Sequence, residues 1–301
     1  MAKPDEYATP AATWTAIRAA SGKASVDRGV PKQDLLNLQL FDRFLARVFS
    51  SMDSPFILKG GTRMLAFIPR ARATVDVDLE TSISDIASAV TQLERLVDID
   101  IGDRLRFTLL KQQRRQISND QPNITMVSLT FEAAGLGQIV KVDLAVHDRA
   151  GLATVRASPV FRVPLARSVP TPECVMIAIE QQIADKVAAM MESHHGGPDG
   201  RSSRAKDLVD LALIAQHLSC DAKLLREALK VQILERKLTP FTLVTASPAI
   251  QKGYSTAARK AAGLHLTWQE AEDLTNRLIG PILDGTTMTG IWNPHGGGWQ
   301  A

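Results

Sequence analysis

At 301 residues the chain is long enough for one large domain or two modest ones with a real core, and its apolar and charged fractions are those of a soluble globular protein. A formal net charge of +3 does not by itself announce a polyanion partner, and aromatic residues are too sparse for a nucleic-acid reader built on stacked bases. Cys174 and Cys220 are far apart and lack metal-type spacing, which fits reduced thiols in a cytoplasmic protein, and no stretch reads as a signal peptide or a membrane span.

In chain order, residues 1–30 form a small, Ala-rich arm in which Thr9-Pro10 opens a short helix ending near Gly22. From Pro31, Leu35, Leu38, Phe41, Leu45 and Val48 recur at three- and four-residue steps and predict an amphipathic helix ending near Ser51. Phe56 to Lys59 is a short strand, Gly60-Gly61-Thr62 a turn, and Arg63 to Ile68 a helix. Arg72-Ala73-Thr74-Val75-Asp76-Val77-Asp78-Leu79 reads as an alternating strand. Ser82 or Ser84 caps a helix reaching Val97. Three strands follow, at Leu105–Leu110, Ile124–Phe131 and Ile139–Val146, with turns at 119–122 and 134–137, and a fourth at Val160–Leu165. At Pro170-Thr171-Pro172 the pattern turns helical, with helices expected near 172–192, 203–218, 221–235, 254–262 and 267–283. His194–Ser203 reads as a loop, and the tail from Gly285 as loosely held. The domain expectation is an arm at 1–30, an α/β domain at 31–168, a helical domain at 169–284 and a flexible tail at 285–301, with a cleft between the two domains.

Strand periodicity places Asp76 and Asp78 on one face, where two carboxylates repel unless a cation lies between them. Asp oxygens are the hard ligands that magnesium prefers. Upstream, Gly60, Gly61 and Thr62 offer backbone donors and a hydroxyl suited to a triphosphate, although the spacing is not that of a P-loop. Lys59 can face either way, and Arg72 either contacts phosphate or covers the sheet. Asp143, on the alternating strand around Val142 and Leu144, is a third metal ligand, a proton acceptor, or an outward-facing acid. Lys186 shares a helix face with Ile179, Ile183 and Met190, so it snorkels, pairs with an acid, or meets phosphate. Asp207 and Asp210 lie one turn apart near a helix start capped by Ser202 or Ser203; Asp207 partners Lys186 or orients substrate, and Asp210 is grouped with the nucleotide-binding residues. His194 and His195 lack further ligands at helical spacing. Three basic runs (Arg104 to Arg115, Arg201 to Lys206, Lys223 to Lys237) each read first as a solvated face, and together favour an RNA or DNA ligand.

Lys59-Gly60-Gly61-Thr62, then Arg72-x-Thr74-x-Asp76-Val77-Asp78-Leu79, then a helix with Asp185-Lys186, then Arg204-x-Lys206-Asp207-x-x-Asp210-Leu211, resembles the AbiEii/AbiGii-type nucleotidyltransferase toxins, including the MenT group. The resemblance spans about Leu35 to Leu218. It implies an α/β, polymerase-β-like nucleotidyltransferase core with a C-terminal all-helical lobe. It also implies a toxin with a cognate antitoxin, moving NMP from an NTP, often a pyrimidine, onto the 3′ end of tRNA or another RNA with Mg2+ or Mn2+ and so blocking translation. Gly61 and Thr62 match the family's turn, Asp76 and Asp78 its metal ligands, Lys186 its helix lysine and Asp207 the acid of its last motif. Thr62 departs from the superfamily's usual Ser and keeps the hydroxyl. Rival expectations are a transferase acting on a small molecule, such as an aminoglycoside, or on protein, and a non-catalytic binding module.

Overall fold

The computed structural model describes residues 6–115, 124–147, 152–192 and 202–300. The chain divides into two units: residues up to Pro69 together with Thr74–Ile177, and Arg70–Ala73 together with Ala178 onward.

The first unit is built on a seven-stranded sheet. Its elements in order are α1 (Pro10–Arg28), α2 (Lys32–Val48), β1 (Phe56–Lys59), α3 (Gly60–Phe67), β2 (Val77–Thr81), α4 (Ile86–Val97), β3 (Phe107–Arg115), β4 (Ile124–Ala133), β5 (Gln138–His147), β6 (Thr154–Ala157) and β7 (Cys174–Ile177). The strand order is β3-β4-β5-β2-β1-β7-β6. The β2–β5 and β1–β7 pairs are parallel and the others antiparallel. Alternation gives each central strand one buried row, including Leu58, Leu79, Val142, Leu144, Leu129 and Phe131. Helices α2 and α4 lie against β3, β4 and β5.

The three strands expected between 105 and 146 are present, somewhat longer than read, and residues 134–137 form the second turn. The first turn, at 119–122, lies outside the described residues. Several expectations are corrected. Residues 72–76 are not strand, and β2 begins only at Val77. Val160–Leu165 is not a strand, because Pro159 and Pro164 carry no donor for a ladder. Its backbone is satisfied partly by side chains instead: Gln39 Nε2 donates to the Phe161 carbonyl and Val163 N–H donates to Gln39 Oε1, while Val160 N–H donates to the Ala66 carbonyl. Residues 174–177 are strand and not helix; Met176 pairs with both Leu58 and Val155, and this non-local pairing overrides the helix-start signal of Thr171-Pro172.

The N-terminal segment is a full part of the first unit. Thr9 caps α1 with Pro10 in its first turn, as read, but the helix runs through Gly22 to a left-handed Gly29. It packs on α2, burying Ile17, Thr13 and Ser21. Small residues allow this close approach, and they leave too thin an apolar stripe to show in the sequence. The N-cap of α4 is Asp85, neither of the two serines.

The second unit contains α5 (Ile179–Met191), α6 (Ala205–His217), α7 (Ala222–Glu235), α8 (Pro248–Ala258), α9 (Trp268–Leu283) and a hairpin of β8 (Ile291–Asn293) and β9 (Gly298–Gln300). Helix α6 is buried nearly all round, as a helix is when it is surrounded by neighbours, here α5, α8 and α9. No side chain caps α6; its N-cap is Arg204. The loosely held tail expected from Gly285 is instead this hairpin, with Trp292 fully buried and donating from Nε1 to the Ala215 carbonyl at 2.8 Å. Two tryptophans supply the apolar area that the glycines around them conceal in the sequence. Both cysteines are buried and free, and burial pushes the Cys174 thiol up to about 12.

A buried ion network ties α2 to the chain ahead of β3. Arg47 and Asp103 are fully buried, Arg47 Nη1 reaching Asp103 Oδ2 at 3.1 Å, and Arg43 lies 3.5 Å from the same carboxylate. Asp103→Ala leaves two buried guanidinium groups without this countercharge. It should lower stability by about 3–5 kcal/mol, read as the urea midpoint followed by far-UV circular dichroism.

Candidate active site

The strand-to-helix elbow between β1 and α3 exists to accommodate an acid. Gly60 has φ +65, and a Cβ there would stand 1.9 Å from Asp78 Oδ2. A Cβ on Gly61 would stand 2.7 Å from Thr74 Oγ1. Both positions are glycine because the side chains of Asp78 and Thr74 occupy the space a side chain would need. Gly61 N–H points at Asp78 Oδ2, at 3.4 Å. The backbone donor that the sequence offers to phosphate is therefore turned to the carboxylate.

Asp76 lies one residue ahead of β2 and is fixed by α3 and by its own loop. Thr62 Oγ1 donates to the Asp76 carbonyl at 2.9 Å, and Thr74 Oγ1 donates to Asp76 Oδ1 at 2.8 Å. Thr62 is fully buried. Its hydroxyl, expected to face a triphosphate, instead holds the acid-bearing loop. Asp143 stands beside Asp78 in the parallel β2–β5 register, on the same face, and accepts from Ser128 Oγ at 2.7 Å. Lys59 is paired in register with Asp78 across β1–β2, and its Nζ lies 2.8 Å from Glu80 Oε2.

These neighbours leave Asp78 short of positive charge. Its carboxyl is pushed up to about 6, first by burial and then by Asp76 and Asp143, with Lys59 and the Gly61 N–H pulling the other way. Among the described residues no three His, Cys, Asp or Glu side chains are already drawn together as a cage for a metal ion. The acids nevertheless fit a divalent cation: hard oxygen donors, mutually repelling, with half-buried Asp76 and Asp78 still reachable from solvent.

The second unit carries the other polar cluster. Lys186 on α5 is 7% exposed and donates to Asp207 Oδ1 at 3.0 Å and Asp210 Oδ2 at 2.7 Å, both on α6. Burial alone would push its ammonium down; the two carboxylates outweigh that and hold it above the ordinary lysine range. Burial would raise Asp207, and Lys186 with Arg204 keeps it below the usual carboxylate range instead. Arg72 Nη2 lies 3.4 Å from Asp210 Oδ2. Asp210 is 1% exposed and its Oδ2 faces two cations, so it orients Lys186 and Arg72.

Thr74 and Ser128 are site residues that local sequence did not single out. Thr74 stands within the motif, two residues before Asp76. Ser128 becomes visible only through the β4–β5 register, a non-local fact. His194 and His195 lie outside the described residues.

A carboxyl raised in the folded state favours folding below the ordinary carboxylate range, and that contribution is lost as the pH rises through about 6. In metal-free buffer Asp78→Asn should therefore raise Tm by roughly 5 °C at pH 8 and leave it little changed at pH 4. Thr62→Val removes the hydroxyl that holds Asp76 and should lower stability by about 1 kcal/mol, read as the urea midpoint, whereas Thr62→Ser should retain it.

Two solved structures from Helicobacter pylori are similar in outline. One is JHP933, with a TM-score of 0.46, 16% identity, and coverage of 85% of this chain and 95% of that one. The other is described as a candidate nucleotidyltransferase, with a TM-score of 0.43, 14% identity, and coverage of 86% and 99%. Among proteins with curated descriptions none matches the sequence. The family profile described as nucleotidyl transferase AbiEii toxin, Type IV TA system, matches residues 43–284. That match takes in both acid clusters and most of the chain, and the mixed α/β sheet followed by helices is the fold expected for such a transferase; the chain belongs to the AbiEii nucleotidyl transferase toxin family of type IV toxin–antitoxin systems.

Proposed function

We propose that this protein moves a nucleoside monophosphate from an NTP, a pyrimidine NTP by the sequence resemblance, onto the 3′ end of tRNA with release of pyrophosphate, and that the capped tRNA blocks translation. Family membership supplies the coarser part: a nucleotide substrate and an antitoxin partner. No helix among the described residues is long and apolar enough to cross a membrane. The observation that carries the reading is Asp78, half-buried against the glycine elbow beside Asp76 and Asp143 and short of countercharge.

The reaction needs one bond made and one broken. The acceptor 3′ oxygen gives up its proton and bonds to the α-phosphorus; the bond from that phosphorus to the α–β bridging oxygen breaks, and pyrophosphate leaves. Magnesium or manganese, held by Asp76 and Asp78 with Asp143 beside them, would neutralise phosphate charge and acidify the acceptor hydroxyl. Asp143, oriented by Ser128, takes the proton. Thr62 and Thr74 keep Asp76 in place, and Gly61 N–H keeps Asp78 in place. Lys186 and Arg72 offer positive charge to the phosphates, with Asp207 and Asp210 fixing their direction; motif order supports this second set.

A cationic small-molecule acceptor is disfavoured by the sheet face around Asp143, where the exposed charged neighbours include Lys141 and Lys111.

The protein incubated with total RNA, magnesium and each labelled NTP in turn should place label on tRNA 3′ ends. Asp76→Ala should lower incorporation by about a thousandfold while circular dichroism stays unchanged. Full incorporation by Asp76→Ala, or label appearing only on protein or a small molecule, would overturn the reading.

A further inference from the structure

The sheet face that carries the acids extends beyond them. In register, Gln113 on β3, Ser128 on β4, Asp143 on β5 and Asp78 on β2 form one transverse row. The next row on that face is Lys111, Thr130 and Lys141. Lys141 lies two residues from Asp143, roughly 6.7 Å along β5. Lys111 lies two strands from Lys141, roughly 9–10 Å across the sheet. Both lysines are exposed. Many of the other basic side chains are already engaged: Arg104 by Glu6 and Asp100, Arg236 by Asp185 and Glu192.

Lys111 reaches this face only through a β-bulge. Phe107 is buried in the core, so an unbroken ladder would turn Lys111 toward the core and Gln112 and Arg114 toward the acids. The register shifts between Leu109 and Lys111. The extra residue, Leu110, reverses the phase: Lys111 and Gln113 join the acid face, and Arg114 pairs with core-facing Val127. Ile139 (42% exposed) lies in the row beyond the lysines and gives a base apolar surface to lie on. Glu132, paired with Ile139 in the row beyond, limits the basic strip on that side.

We propose that the last phosphates of a single-stranded RNA acceptor lie along Lys141, Thr130 and Lys111, running across β5, β4 and β3 so that the terminal hydroxyl arrives at Asp143. This rests on the nucleotidyl-transfer reading of the acids, and it adds how the acceptor is held: through its backbone, by a strip that the bulge creates. Two ammonium groups one row from the acids repel a cationic acceptor and attract a phosphodiester.

The test separates binding from chemistry. A short 5′-labelled single-stranded RNA with a free 3′ hydroxyl is titrated in EDTA against wild type, Lys111→Ala/Lys141→Ala, the conservative Lys111→Arg/Lys141→Arg, and Lys252→Ala as a surface-lysine control; incorporation is measured in parallel with magnesium. The double alanine variant should bind RNA at least about tenfold more weakly, with a salt slope smaller by about 1.4, or 0.7 for each phosphate no longer neutralised. It should raise KM for RNA and leave KM for NTP unchanged, and the arginine variant should bind like wild type. Unchanged affinity and KM for RNA in the double alanine variant, or equal weakening by Lys252→Ala, overturns the strip while leaving transfer standing. Lysine-dependent RNA binding with no incorporation by wild type supports the strip and overturns the transfer reading instead.

Discussion

The interaction on which the first unit depends is the Asp78 carboxylate set into the space that Gly60 and Gly61 leave open. Any side chain at Gly60 would collide with it, and the backbone there adopts a left-handed conformation that glycine takes at no steric cost. The acid and the elbow therefore specify each other. From that pairing the neighbouring choices follow. Thr74 fills the space beside Gly61 and reaches Asp76, and Thr62, one residue on, reaches back to the same loop. One turn of helix thus sets both acids without supplying a charge of its own.

Three buried ionic groupings among the described residues differ in how completely they are neutralised. Arg47, Arg43 and Asp103 hold α2 to the core and are closed to water. Lys186 with Asp207 and Asp210 is satisfied from both sides, so its ammonium stays charged despite burial. Asp78 differs: burial and two acids oppose its charge, and a partly engaged lysine with one N–H answers them. The Lys186 grouping is fixed by helix-to-helix pairing within one unit, and the Asp78 grouping by a strand and a turn in the other.

Much of the local pattern of this protein was legible in its sequence, and the non-local pairing was not. The two acids showed as a pair in one local motif, although Asp76 falls in the loop ahead of β2 and not on the strand, and the β3 to β5 region showed itself as apolar alternation. Lys186 stood out as a lysine on an apolar stripe. What lay hidden needed a partner distant in sequence. Residues 174–177 became a strand because Leu58 and Val155 were waiting for them. Thr62 spent its hydroxyl on Asp76 and not on a ligand because the loop folds over α3. The pairing of Asp210 with Lys186 came only with the packing of α5 on α6. The tail concealed its order because two tryptophans among glycines make no periodic pattern. The bulge at Leu110 is also invisible to alternation alone, and it decides which β3 side chains share a face with Asp143.

Residues Arg70–Ala73 belong by their packing to the helical unit, although first-unit sequence flanks them on both sides. Gly263 N–H donates to the Arg70 carbonyl, Ala73 N–H donates to the Lys260 carbonyl, and Arg72 faces Asp210. Neither unit is therefore a contiguous piece of the gene. A recombination event with a single breakpoint near codon 178 would import α6 with its Asp210 and leave behind the guanidinium that faces it. The two units are therefore expected to be exchanged only as a pair.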